Sequence, residues 1–344
     1  MIAFSSNYLI GPRTLKLIFE SGPKKVWLNG LKLGVAKIPQ KNINAVNETR
    51  LKLNPDDYIS RVEKLGFKVL VNTEKSYPCL LKEIPDPPIV LYYIGELVMK
   101  NLVSVVGSRK CSQYAKQVTE TIAPDLSRAG LTIVSGMALG VDTMAHRAAL
   151  SSQGKTLAVL GSGLDTIYPS SNKSLYSEIA KNGAVISEFP LGTPPLKYNF
   201  PQRNRIIAGL AESTLIIEAD IHSGSLITGH FALDFNRQVY AIPGDITRNN
   251  SRGTNNLIKL GAKPVTESQD ILIDYGILPI EKKLYLPKND TERTIYEVLG
   301  DSPLYIDKIS ELTGLDAILI SQSITLLELQ GAIINLGNST YIRK

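Results

Sequence analysis

Between residues 102 and 275 the chain alternates short β-branched apolar runs with polar loops and helical stretches, and this rhythm restricts the fold more than any other feature. The runs at 102–106, 131–134, 156–160, 184–186, 214–217 and 239–242 have strand length and strand composition. They end in loops that mostly contain glycine: Gly107-Ser108-Arg109, Ser135-Gly136, Gly161-Ser162-Gly163, Ser187-Glu188, Glu218-Ala219-Asp220 through Ser223-Gly224-Ser225, and Pro243-Gly244-Asp245. Helical spacing follows most of them, at 112–129, 141–151, 174–181, 203–211 and 225–236. Strands that feed helices in this order form a doubly wound, mostly parallel sheet with helices on both faces, an extended Rossmann-like α/β class. In such a sheet the loops collect on the carboxyl rim around the topological switch point, where backbone amides and helix starts favour phosphate.

At roughly 100 to 200 residues per domain, 344 residues predict two or three domains. Composition shifts at the proline-rich stretch 84–88 and again at 278–288, where Pro279 and Pro287 interrupt helical pattern. The expected division is a helical part at 1–70, the α/β core at 71–278 and a C-terminal module at 279–344. The net charge of +6 suggests an anionic partner without locating it. Residues 1–101 carry 15 basic and 9 acidic groups, 102–275 carry 16 and 14, and 276–344 carry 7 and 9. No apolar run reaches the roughly 18 to 20 residues of a membrane helix. The first residues lack a secretory pattern, so a cytoplasmic location is expected. Cys79 and Cys111 stand in no metal-ligand or CxxC spacing, which fits a reducing compartment and no metal.

Three rim loops carry the chemistry. In Gly107-Ser108-Arg109 a guanidinium and a hydroxyl sit at a helix start, suited to bidentate phosphate contact or, equally, to capping the sheet edge. Phe200-Pro201-Gln202-Arg203-Asn204-Arg205 sets two arginines at a helix start, where positive charge opposes the helix dipole. An anionic ligand, or an acidic neighbour such as Glu188, accounts for that placement. Ser223-Gly224-Ser225 before a helix is a further anion nest, with Arg248 and Arg252 on a later loop. Tyr168 offers a face on which a base can stack, or ordinary packing.

Other chemistries lack support. Gly161-Ser162-Gly163 is a lone GxG, and no Walker lysine pattern occurs. His146, His222 and His230 have no zinc-ligand spacing. Glu188 and Glu218 with Asp220 form either a hydrolytic acid pair or partners for Arg203 and Arg205.

The flanks are simpler. Asn7 through Leu15, with Gly11-Pro12 before a helical stretch, resembles half of a helix-hairpin-helix, and plain helical packing is the alternative. The runs 67–70 and 88–94 look like edge strands leading into the core. Helical spacing at 291–299, 306–313 and 315–330, then a hairpin at 332–335 and 341–343, spells a winged helix. Its recognition-helix position, 316–329, contains no Lys or Arg, so a protein-binding or regulatory module fits better than a reader of duplex DNA.

Taken together, these blocks resemble the DprA/Smf family of DNA-processing proteins over nearly the whole length. The resemblance rests on Val105 to Arg109, Ser135 to Asp142, Leu164-Asp165 with Tyr168-Pro169, Ser187 to Pro190, Phe200 to Ile207, Ser223 to Thr228, Ala241 to Gly244, Gly253 to Ile258 and Gly261-Ala262. It implies a homodimer that binds single-stranded DNA without sequence preference and loads RecA recombinase in natural transformation, with no catalysis and no cofactor. The expected DNA-contacting set is Gly107, Ser108, Arg109, Ser135, Gly136, Gly161, Ser162, Tyr168, Lys173, Arg203, Asn204, Arg205, Ser223, Gly224 and Ser225, of which the resemblance itself carries over Gly107, Ser108, Arg109, Arg203, Asn204 and Arg205. One departure is visible: after Tyr168-Pro169 many members place a basic residue, whereas Ser170 and Ser171 stand here and Lys173 is the nearest cation. Dimer and RecA surfaces are expected on the late core helices, with Leu257, Ile258 and Leu260 as exposed apolar candidates. A nucleotide sensor or hydrolase using Glu188 or Glu218 is the alternative from a different class, and a transcription factor acting through the winged helix is a third.

Overall fold

A computed structural model describes residues 1–7, 10–30, 38–277, 285–300 and 302–343. The chain forms two compact units, Met1–Pro279 and Ile280–Lys344.

The first unit opens with helices α1 (Ile2–Ser5), α2 (Pro12–Glu20), α3 (Pro23–Asn29), α4 (Gln40–Lys52) and α5 (Pro55–Lys64). Prolines begin α2, α3 and α5, where the missing N–H costs nothing and φ is already helical. The start of the helix-hairpin-helix-like stretch includes Tyr8 and Leu9, which lie outside the described residues. Strand β1 (Lys68–Val71), helix α6 (Cys79–Lys82) and strand β2 (Val90–Gly95) follow. The boundary expected at 70/71 falls inside β1, and the one expected at 278/279 lies outside the described residues.

The core then alternates β3 (Leu102–Val106), α7 (Gln113–Arg128), β4 (Thr132–Ser135), α8 (Val141–Ser151), β5 (Thr156–Val159), α9 (Lys173–Asn182), β6 (Gly183–Ser187), α10 (Asn199–Leu210), β7 (Ser213–Ile216), α11 (Gly224–Asp234), β8 (Gln238–Ala241), α12 (Asn249–Lys259), β9 (Lys263–Pro264) and α13 (Gln269–Leu272). The nine-stranded sheet runs β1-β2-β6-β5-β4-β3-β7-β8-β9. All pairs from β6 to β9 are parallel, while β1 and β2 join antiparallel. Thus β1 is an edge strand, as its sequence suggests, whereas β2 lies inside the sheet between β1 and β6.

The parallel strands are apolar on both faces because helices cover both. Val103, Val105, Ile133 and Leu215 face the layer that holds Ala115, Ile122 and Leu126 of α7. Leu102, Val106, Val134, Leu157 and Ile216 face the layer of Ile206, Ile207 and Leu210 from α10. The N-terminal helices share a core with the sheet: Tyr58 and Val62 of α5 pack with Tyr92 of β2 and Leu160, and Leu15 and Phe19 of α2 pack against that group.

The second unit comprises α14 (Asp290–Val298), β10 (Leu304–Tyr305), α15 (Ile306–Thr313), α16 (Ala317–Leu329), β11 (Ile333–Gly337) and β12 (Thr340–Arg343). Its sheet order, β10-β12-β11, with the three helices, is a winged helix.

Tyr92 is wholly buried, and its hydroxyl meets Ser5 Oγ at 2.6 Å and accepts from Tyr58 Oη at 3.2 Å. Replacing it by Phe takes the acceptor from the Tyr58 hydroxyl and leaves Ser5 Oγ with only its bond to the Ile2 carbonyl, at the joint between the helices and the sheet. Y92F is expected to cost about 1 to 3 kcal/mol, read as a lower urea midpoint with an unchanged slope.

Candidate nucleic-acid interface

After β3 the chain winds to one side through β4, β5 and β6, then returns to place β7 on the other side of β3. The loops leaving β3 and β7 therefore part, and the rim opens there into a cleft of about 880 Å³. Its walls come from Gly107 to Lys110 after β3, from Lys197, Phe200, Pro201, Arg203 and Asn204 around the start of α10, from Asp220 and His222 to Ser225 before and at the start of α11, and from Tyr168. Four cations, Arg109, Lys110, Lys197 and Arg203, face it against two carboxylates, Asp142 and Asp220.

The β3 loop is fixed by its own polar atoms. Ser108 Oγ accepts from the Lys110 amide at 3.2 Å, and the Ser108 carbonyl accepts from the Val141 amide at 3.2 Å. That second contact requires glycine at 140, where φ is +80° and a Cβ would stand 2.3 Å from the Ser108 oxygen. With the loop held, Arg109 reaches into the cleft with its guanidinium 5.2 Å from the centre of the Phe200 ring. Arg203 lies 5.9 Å from the same ring, and Tyr168 5.6 Å from it at 46°. Phe200 is thus an aromatic hub touched by two guanidinium groups and a phenol, contacts that favour cations over the ring face.

Arg203 forms the floor. It is 3% exposed, and Nη1 donates to the carbonyl oxygens of Gly136, at 2.5 Å, and of Val159, while Nε donates to Asn204 Oδ1 at 3.1 Å. A Cβ at 136 would sit 2.5 Å from Nη1, so glycine is what lets the guanidinium lie against the loop. Asp142 secures the same loop by accepting from the Gly136 amide at 3.1 Å. Burial raises the Asp142 pKa, opposed chiefly by the Arg203 charge. Burial likewise lowers Arg203 to about 10, which leaves it cationic at neutral pH. Beside this floor His146 is fully buried, its Nδ1 2.7 Å from Thr156 Oγ1. Burial first, and the Arg203 charge second, push its pKa down to about 3, so the imidazole is neutral.

Opposite, Ser223 caps α11 by accepting from the Ser225 amide at 3.4 Å, and Asn204 Nδ2 donates to the Gly224 carbonyl at 3.1 Å. The positive end of the α11 dipole is thereby held at the cleft.

Gly107, Ser108, Arg109, Tyr168, Arg203, Asn204, Ser223, Gly224 and Ser225 of the expected set line the cleft together. The others do not line it. Ser135 is buried and donates to the Val105 carbonyl at 2.7 Å, and Ser162 is buried and donates to the Thr166 carbonyl at 2.7 Å. Gly136 lies beneath Arg203. Gly161 is also buried; its carbonyl accepts from Asn199 Nδ2 at 3.0 Å. Lys173 is exposed at the start of α9, outside the cleft lining. Arg205 points away, because α10 begins at Asn199 and places it in a buried ion pair with Glu188 at 2.5 Å. Glu188 is raised by burial, with Arg205 opposing.

Glu218 holds neither arginine. It accepts from the Ser112 amide at 3.0 Å and from Ser112 Oγ at 2.5 Å, anchoring the start of α7.

On α12, Leu257 is a correction: it is 1% exposed, turned into the core by its place on the inner face. Ile258 is half-buried against that core, and Leu260 is 61% exposed.

Sequence reasoning omitted Lys110, Lys197, Phe200 and Asn250 from the site. Lys197 and Phe200 belong to the linker before and at the start of α10, which has no strand or helix period. Their signal was only their closeness to the Arg203-Asn204-Arg205 block.

The fold and the rim define a Rossmann-like protein with a cation-lined cleft and a winged-helix companion. Residues 68–276 match the family model of DNA recombination-mediator protein A, and residues 282–338 match that of the DprA winged helix domain. The chain belongs to the DprA/Smf family. It is 33% identical to Protein Smf of Synechocystis over 100% of this chain and 98% of that one. It is 47% identical to the DNA processing protein DprA of Streptococcus pneumoniae over 61% of this chain and 74% of that one. The X-ray structure of the Streptococcus pneumoniae protein superposes with a TM-score of 0.69 at 38% identity, covering 79% of this chain and 95% of that one. A structure of DNA processing protein A from Helicobacter pylori, described for its single-stranded DNA binding mode, gives 0.55 at 33% identity over 61% and 95%.

Two outcomes follow from the floor. G136A forces the Arg203 guanidinium off its carbonyls and is expected to cost about 1 to 3 kcal/mol in urea unfolding. His146 takes up a proton near pH 6.5 when unfolded but only near pH 3 when folded. Between those values the unfolded state binds more protons, so stability is full above about pH 6.5 and falls as pH drops through the window, by at most about 1.4 kcal/mol per unit. H146Q should flatten that slope in urea titrations at stepped pH.

Proposed function

We propose that this chain binds single-stranded DNA in the switch-point cleft, without turning it over, and acts as a recombination mediator that passes the strand to a RecA recombinase in transformation or homologous recombination. The observation that carries this is the Phe200 hub, with Arg109 and Arg203 against its ring and Tyr168 beside it. Bases stack on aromatic and guanidinium planes whatever their identity, and cations alongside, here Lys110 and Lys197, neutralise the phosphates between them. Family membership supports the same reading, and so does the Helicobacter pylori relative, whose structure concerns single-stranded DNA.

Hydrolysis of a nucleotide is the weaker reading. Its two carboxylates are occupied, Glu188 by Arg205 and Glu218 by Ser112. Leu260, with Ile258 beside it on α12, is the proposed patch for a second copy or for RecA. For the winged helix we favour protein contact over duplex reading, because α16 has no Lys or Arg and exposes Ile318, Leu319, Leu326 and Leu329. Among the described residues no single helix is long and apolar enough to cross a membrane. The proposed setting is the cytoplasm.

Fluorescence anisotropy with labelled oligothymidine over a salt series tests the assignment. R109A and K197A should each weaken binding and lower the slope of log affinity against log salt by about 0.7. F200A should lose about 1 to 3 kcal/mol of binding with little change in slope. Wild-type affinity and slope in all three would overturn the site.

A further inference from the structure

The start of α10 divides its side chains between two sides. Phe200, Arg203 and Asn204 line the cleft, whereas Tyr198, Asn199 and Gln202 line a separate cavity of about 130 Å³ between α2 and the segment that follows β6. Lys197, immediately before Tyr198, still belongs to the cleft. Residues 197 and 198 thus form the lip between the cleft and the α2 side.

Tyr198 is 62% exposed, more than any other tyrosine, phenylalanine or tryptophan among the described residues. Its side chain makes no hydrogen bond, and its ring meets no cation or other aromatic ring. It stands at the N-cap of α10 without capping it. Ser, Thr, Asp or Asn at that position would accept from an unpaired amide of the first turn, and local stability favours those residues there. A ring left in water also forgoes most of the stabilisation that packing gives an aromatic side chain. Neither the helix nor the core has a use for an aromatic residue at 198, which turns the reading outward, to a ligand.

The neighbours say what kind of ligand. Lys197 is exposed at the cleft, and consecutive Cα atoms are only about 3.8 Å apart, so a phosphate held by Lys197 brings the following nucleotide to the Tyr198 ring. Such a ring accepts any base, because every base has a π-face. Gln202, four residues on and therefore on the same side of α10, is exposed and carries an amide that donates and accepts alike. Ring and amide together discriminate against no base. A protein partner would call for apolar surface around the ring, whereas the exposed residues beside it on the lip and first turn are Lys197, Pro201 and Gln202.

We propose that Tyr198 is a second stacking platform, outside the cleft, for the nucleotide next to the one held at Phe200, and that the bound strand leaves the cleft across Lys197 and Tyr198. The proposal rests on single-stranded DNA binding in the cleft.

The test is anisotropy with labelled oligothymidine and oligodeoxyadenosine over a salt series. Y198A should bind both about 5- to 150-fold more weakly than the wild-type protein, the loss of one base–aromatic stack, with the salt slope unchanged because no phosphate contact is lost. Y198F should bind as the wild type does, since the hydroxyl holds nothing. The Y198A F200A double variant should lose the product of the two single effects, as two separate platforms require. Y198W gives a reading that does not depend on the stability of the alanine variant: its emission should be quenched by oligothymidine beyond the change seen in the wild-type protein, whose one tryptophan is Trp27. Wild-type affinity in Y198A, or no added quenching in Y198W, overturns the platform and leaves the cleft standing. A double variant no weaker than F200A alone overturns the claim of a second platform. Failure of the wild-type protein to bind either oligomer overturns the cleft and the platform together.

Discussion

The burial of one guanidinium organises the rim. Arg203 lies under the cleft with its donors on the Gly136 and Val159 carbonyls and on Asn204, so the ends of β4 and β5 and the start of α10 share one cation. A buried charge persists only where hydrogen bonds replace its lost water. The loops that supply those carbonyls are consequently fixed in place, with Asp142 tying the Gly136 amide from below. The same cation adds to the burial that keeps His146 neutral, and it lies against the Phe200 ring.

The two arginines of the 203–205 block show how helix geometry divides like residues. Two positions apart on α10 they point in different directions: Arg203 to the cleft floor and Arg205 to Glu188. Neither charge is wasted on the α10 dipole, because each is met by acceptors supplied by other elements.

Much of the architecture was legible because burial on both faces imposes a long apolar signature. The β3 strand falls at 102–106 as read, α8 at 141–151 as read, and the other parallel strands within one residue at most ends. The start of α10 was read four residues late, since Asn199-Phe200-Pro201 looks like loop when proline in a first turn is taken as a break. The β9 strand, of two residues, carries no period to detect. Within the site, glycine loops and arginines were visible, but their partition was not. Whether Arg205 meets a ligand or Glu188, and whether Leu257 faces out or in, depends on pairings between distant segments. Local spacing does not encode those. Lys197 and Phe200 were missed for a related reason, as they gain meaning only when the linker is folded against the β3 loop.

The positive character of the cleft is divided between side chains and the backbone. Arg109, Lys110 and Lys197 can be exchanged one at a time, but the capped start of α11 at Ser223-Gly224-Ser225 belongs to the main chain and follows from the topology itself. A rim built in this way keeps part of its positive potential when a cation is lost, because the helix start stays in place as long as the strand order reverses beside β3. Loss of one of these cations would lower the potential in the cleft without removing the helix start that faces it.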